Sequence, residues 1–91
     1  MPTVRIPSPL RHLAGGRPEI EVTGQDVRSV IAGLEALYPG VGGRLLDADG
    51  RLHRYVNVFV GDAEIRTRAG LDTPVAPDDT LSIVPAVAGG T

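Results

Sequence analysis

The chain has 91 residues, 9 basic against 11 acidic side chains and a formal charge of −2, and every basic residue is an arginine. It contains no cysteine, lysine or tryptophan, which excludes a disulfide framework, a thiolate metal site, a cysteine nucleophile, a Schiff-base lysine and a phosphate-loop lysine. A mildly acidic chain without a basic block is poorly suited to nucleic acid, and no apolar run approaches the roughly 18 residues of a membrane span.

Arg5 and Pro7 stand where a secretory signal would need an apolar stretch, so a soluble cytoplasmic protein is expected. Tyr38, Tyr55 and Phe59 are the only aromatic residues, so the core must be aliphatic. Thr3 to Ile6 alternates and predicts a first strand. Pro7, Pro9, Gly15, Gly16 and Pro18 then mark a loop. Glu19 to Val22 alternates again, with Ile20 and Val22 on one face, and predicts a second strand antiparallel to the first. The period then changes. Val27, Val30, Ile31, Leu34, Leu37 and Tyr38 fall on one face of a helix. Thr23 is the expected cap, with Asp26 in the first turn. Pro39 and Gly40 end the helix. Gly33 inside it costs about 1 kcal/mol against alanine, a cost that close packing would explain.

A short helical turn is expected over residues 41–46, and Asp47-Ala48-Asp49-Gly50 is a turn. Leu52 to Val60 predicts a long strand, with Val56, Val58 and Val60 on one face and Tyr55, Asn57 and Phe59 on the other. Glu64 to Arg66 predicts a short strand. Gly70 to Thr80 is loop. Leu81 to Val84 is the last strand, ended by Pro85. The order is ββαβ(β)β, and the lone helix must bury its stripe on one face of the sheet.

That order, closed by Thr80 to Val84, five further residues and then Gly89-Gly90, resembles the β-grasp of ubiquitin-like proteins. Within that superfamily the chain is similar to the ThiS/MoaD-type bacterial sulfur carriers, most of all the CysO type. The likeness rests on Val30, Ile31, Leu34, Glu35 and Tyr38-Pro39-Gly40, on the stretch Leu52 to Val58, on Ile65-Arg66, and on the run from Val84 to Gly90. It implies an α+β fold, with a mixed sheet of four to five strands packed on one helix. It also implies a β-grasp domain over residues 1–85 and a flexible Gly-Gly tail over 86–91.

The resemblance implies a function as well. An E1-like enzyme, using ATP and magnesium, adenylates the carboxylate of Gly90. Sulfur then displaces AMP, and the thiocarboxylate passes its sulfur to a small-molecule acceptor held by a synthase. The pathway implied is that of cysteine or of another sulfur-containing metabolite such as a thiosugar. The carrier needs no catalytic residue, metal or bound cofactor of its own. Five residues beyond Pro85 reach about 16 Å when extended, and Gly89 and Gly90 lack the Cβ that would block a narrow channel. Thr91 departs from the active form, so its removal is expected, by a metalloprotease. Val84, Pro85, Val87 and Ala88, with Tyr55 and Phe59, form the expected surface for the E1-like partner.

The same tail chemistry suits a ubiquitin-like modifier joined through Gly90 to target lysines, and only the acceptor separates the two. A β-grasp interaction domain with an inert tail is a third reading; deleting Gly89-Gly90 would leave its activity intact. His12 and His53 lack a third ligand at a set spacing. The 47–50 segment has Arg51 where a calcium ligand would be needed, and Gly40 to Gly43 lacks the ending of a phosphate loop. Asp78-Asp79 is a turn pair. The arginines are scattered, which favours a solvated surface, although Arg54, Arg66 and Arg68 are candidates to steer an acidic partner.

Overall fold

Alternation along four short segments decides the architecture. A computed structural model describes residues 1–85, and it contains five strands: β1 (Thr3–Arg5), β2 (Glu19–Glu21), β3 (Val56–Val60), β4 (Ala63–Glu64) and β5 (Thr80–Pro85). The sheet order is β2-β1-β5-β3-β4. β1 runs parallel to β5 and antiparallel to β2, and β3 is antiparallel to both β5 and β4. This is the expected α+β β-grasp with a mixed sheet. Register carries Ile20, Val4, Leu81 and Val60 in one row across four strands. With Val58 and Ile83 they face the helix.

α1 (Val27–Leu37) covers that face with Val27, Val30, Ile31 and Leu34, all buried. Its cap is Asp26 rather than Thr23. The Asp26 carboxylate accepts the Ser29 N–H at 2.8 Å, and the Ser29 hydroxyl accepts the Asp26 N–H at 3.2 Å. This reciprocal capping box satisfies two otherwise unpaired donors, and Thr23 lies three residues outside it. Leu37, assigned to the apolar stripe, is exposed. Gly33 is a packing requirement: a Cβ there would stand 2.7 Å from a Val22 methyl and 3.1 Å from the Thr23 carbonyl. The helix therefore sits closer to the β2 end than any larger residue permits.

The expected loop after β1 contains a 3₁₀ helix, Ser8–Ala14, which Pro9 helps to start and which buries Ala14 against the core. α2 (Val41–Leu45) buries Val41 and Leu45. It is held to α1 by Glu35, whose carboxylate accepts the Gly40 N–H at 3.0 Å and the Gly42 N–H at 2.7 Å. The strand expected from Leu52 is shorter than its alternation suggests. Leu52 forms a single bridge to Leu46. The backbone then turns at Arg54 and Tyr55, and β3 begins at Val56. Ile65–Arg66 is likewise not strand but the start of a 3₁₀ turn that buries Ile65. Pro85 is the last residue of β5, where it pairs with Val56.

Candidate functional site

The last described strand lies in the middle of the sheet. β5 lies between β1 and β3, and its ladder to β1 stops at Arg5 opposite Ser82, because the chain turns away at Pro7. Its ladder to β3 continues three residues further, through Val58 opposite Ile83, Asn57 opposite Val84 and Val56 opposite Pro85. The end of β5 is thus paired on one side and open on the other. The open side borders a groove of about 260 Å³ lined by Arg5, Arg11 and Pro7 together with Ser82 to Val84. Arg11 is fixed there by its Nε–H, which donates to the Ile6 carbonyl at 3.0 Å.

The face opposite the helix carries one continuous row: Glu19, Arg5, Ser82, Phe59 and Glu64, one from each strand. Arg5 and Glu19 form an exposed ion pair at 3.5 Å, a contact that adds little stability. Val84 is 43% exposed and Tyr55 is 55% exposed, while Phe59 is partly covered. Two of the expected surface residues, Val84 and Phe59, therefore share the outer face. Tyr55 reaches the same neighbourhood by another route. It is not an outward strand residue but the third residue of the His53–Val56 turn, immediately before the Val56–Pro85 pair. Val87, Ala88, Gly89, Gly90 and Thr91 lie outside the described residues.

Arg66 is a feature that sequence spacing did not resolve. It was a candidate for long-range steering with Arg54 and Arg68, yet its guanidinium is engaged locally, on Asn57, Glu64 and the His53 carbonyl. No local pattern marks that role, since two of its three partners lie nine and thirteen residues away. A larger groove of 490 Å³ runs between the Gly50–Leu52 and Ala69–Asp72 segments. Its Arg28 is paired with Asp72 at 3.2 Å.

The carboxyls with displaced titration are structural. Asp26 is held below the ordinary carboxylate range by the Ser29 backbone and hydroxyl hydrogen bonds. Asp47 is held down first by the Arg51 N–H and also by the Asp49 N–H. The 47–50 segment thus spends its acid on its own turn, at 3.0 and 2.9 Å. Among the described residues no group of three or more His, Cys, Asp or Glu could hold a metal ion. No helix among them is long and apolar enough to cross a membrane.

Residues 4–90 match the ThiS family. The chain belongs to that family. It is 44% identical over 90 residues to the sulfur carrier protein CysO of Mycobacterium tuberculosis, covering 97% of each chain. The structure superimposes on the CysO of Amycolatopsis orientalis, solved in complex with BexX, with a TM-score of 0.93 and 41% identity, covering 99% of this chain and 100% of that one. It also matches the small archaeal modifier protein 1 of Methanosarcina acetivorans, with a TM-score of 0.82 and 28% identity over 98% of this chain and 95% of that one. The fold is that of a ubiquitin-like carrier of the CysO type rather than of an enzyme.

Proposed function

We propose that this chain is a cytoplasmic sulfur carrier whose reactive group is the carboxylate of Gly90. The observation that carries the reading is the family match, which runs through Gly89 to Gly90. Gly90 is amide-bonded to Thr91, so water must first cleave that bond, with a metalloprotease as the expected catalyst. The freed carboxylate attacks the α-phosphorus of ATP on an E1-like enzyme, which holds the magnesium, and pyrophosphate leaves. A carboxylate resists nucleophiles because its charge is delocalised; the acyl-adenylate offers AMP as a good leaving group. Sulfide then attacks the carbonyl carbon, AMP departs, and a thiocarboxylate remains. The sulfur anion attacks an electrophilic carbon of a small acceptor on a synthase and displaces that acceptor's leaving group. Water then cleaves the carbonyl–sulfur bond, which frees the sulfur on the acceptor, toward cysteine or another sulfur-containing metabolite, and restores the Gly90 carboxylate. The carrier takes part in each step only through the terminal carboxyl group of Gly90, so a chain without cysteine loses nothing.

Val84, Pro85, Phe59 and Tyr55, followed along the chain by Val87 and Ala88, are the surface this reading gives to the partner enzymes. The CysO complex with BexX supports docking of such carriers onto a partner protein. The likeness to a small archaeal modifier favours a second reading, in which the activated Gly90 acylates a lysine of a target protein. Incubating the chain ending at Gly90 with its E1-like enzyme, ATP and sulfide, and recording the intact mass, tests the proposal. The expected product has one terminal oxygen replaced by sulfur. Mass retained at the carboxylate value, with the enzyme competent on another carrier, overturns it. Adducts on protein lysines in place of sulfur transfer to a small acceptor favour the modifier.

A further inference from the structure

The turn that presents Tyr55 is held from outside by Arg66. The Val56 N–H closes the turn onto the His53 carbonyl at 3.1 Å, and the same carbonyl accepts Arg66 Nη2 at 2.8 Å. Arg66 Nη1 donates to Asn57 Oδ1 at 2.8 Å and to Glu64 Oε2 at 3.3 Å. One planar guanidinium therefore ties the turn to β3 and β4, using the two-nitrogen fork that only arginine supplies. The other side of the turn is tied to α2, where the His53 N–H donates to the Leu45 carbonyl at 2.8 Å. All this fixes a tyrosine that is 55% exposed and adds little to the core. The register explains where the effort goes. Tyr55 immediately precedes the Val56–Pro85 pair, and Asn57, the residue that Arg66 grips, lies opposite Val84.

We propose that Arg66 is a positioning residue for the docking of the adenylating enzyme. It sets the His53–Val56 turn so that Tyr55 and Val84 flank the root of the tail as one apolar contact. This rests on the carrier reading above. The occupant is the adenylating enzyme because a protein that takes Gly90 into its site also covers the point from which the tail departs. Arg66 acts through Tyr55 and contributes its geometry, not its charge.

ATP–pyrophosphate exchange by the E1-like enzyme of the source organism, with the chain ending at Gly90 as substrate, tests this. Arg66→Ala raises KM about tenfold and leaves kcat within about twofold. Arg66→Lys keeps the charge but cannot reach both the His53 carbonyl and Asn57 Oδ1, so it behaves like Arg66→Ala. The double variant Arg66→Ala/Tyr55→Ala is no worse than Tyr55→Ala alone. Hydrogen exchange of the Val56 amide quickens in Arg66→Ala while that of Val58 does not change. Wild-type KM in Arg66→Ala, rescue by Arg66→Lys, or additive effects in the double variant each overturn the assignment and leave the carrier reading standing. A wild-type chain that supports no exchange overturns the carrier reading and this role with it.

Discussion

Val58 and Phe59 are neighbours in one strand and meet opposite fates. Val58 is fully buried under the helix, whereas Phe59 lies in the outer row between Ser82 and Glu64. The same division runs along β5, where Leu81 and Ile83 are core and Ser82 and Val84 face outward. Successive side chains of a strand point to opposite faces. Two strands therefore supply both the interior that holds the fold and the surface around the tail. The comparison teaches that these tasks are separable residue by residue, so stability and partner recognition should respond to different substitutions a single position apart.

The strongest way to break that separation is Leu81→Ala. Its side chain is fully buried in the middle of the sheet, and truncation is expected to cost about 2–5 kcal/mol in urea denaturation. A smaller loss would mean that the inner face tolerates collapse as a surface does. Gly33→Ala follows. Alanine gains about 1 kcal/mol of helix propensity, but the added Cβ meets Val22 and Thr23. Overpacking costs about 1–3 kcal/mol, so a net loss of up to about 2 kcal/mol is expected, and a rise in Tm would show that α1 can move off the sheet.

On the outer face the expectation reverses. Val84→Gln should change stability by no more than about 0.5 kcal/mol while raising the KM of the carrier for its adenylating enzyme about fivefold. A large fall in Tm would place Val84 in the core instead. The smallest effect is expected at the cap. The titration of Asp26 is lowered in the folded state, so its contribution is present above the unfolded-state value and is lost as pH falls through the folded one. Asparagine caps as well as aspartate. Asp26→Asn should therefore match the wild type near neutral pH and lose less stability on acidification, as followed by circular dichroism. An unchanged acid profile would remove Asp26 from the account.

The inner face was legible because burial imposes periods that a sequence records. Alternation in Glu19 to Val22 and the helical stripe from Val27 to Leu34 both lie where they were expected. The cap was misplaced because Thr23 and Asp26 are both good capping residues, and only the reciprocal bond with Ser29 selects one. The 3₁₀ helix at Ser8–Ala14 hid behind its prolines, which signal a turn without saying whether Leu10, Leu13 and Ala14 pack beneath it. The outer surface was half legible. Val84 and Phe59 followed from strand parity, but Tyr55 did not, since the alternation runs from Leu52 to Val60 while the strand begins only at Val56.

By itself the sequence determined the fold class, the main amphipathic helix and the place of Gly89 and Gly90, because spacing and residue type are properties of the chain alone. The tertiary structure decided how the tail's root is framed. The pairing of Val56 with Pro85, the end of the β1 ladder at Ser82, and the reach of Arg66 to His53 and Asn57 depend on contacts between distant segments. Those contacts leave no period in the sequence. They form only when the sheet brings residues 53–57, 66 and 82–85 to one place, and a hydrogen bond across that distance is decided by geometry rather than by the residues that flank it.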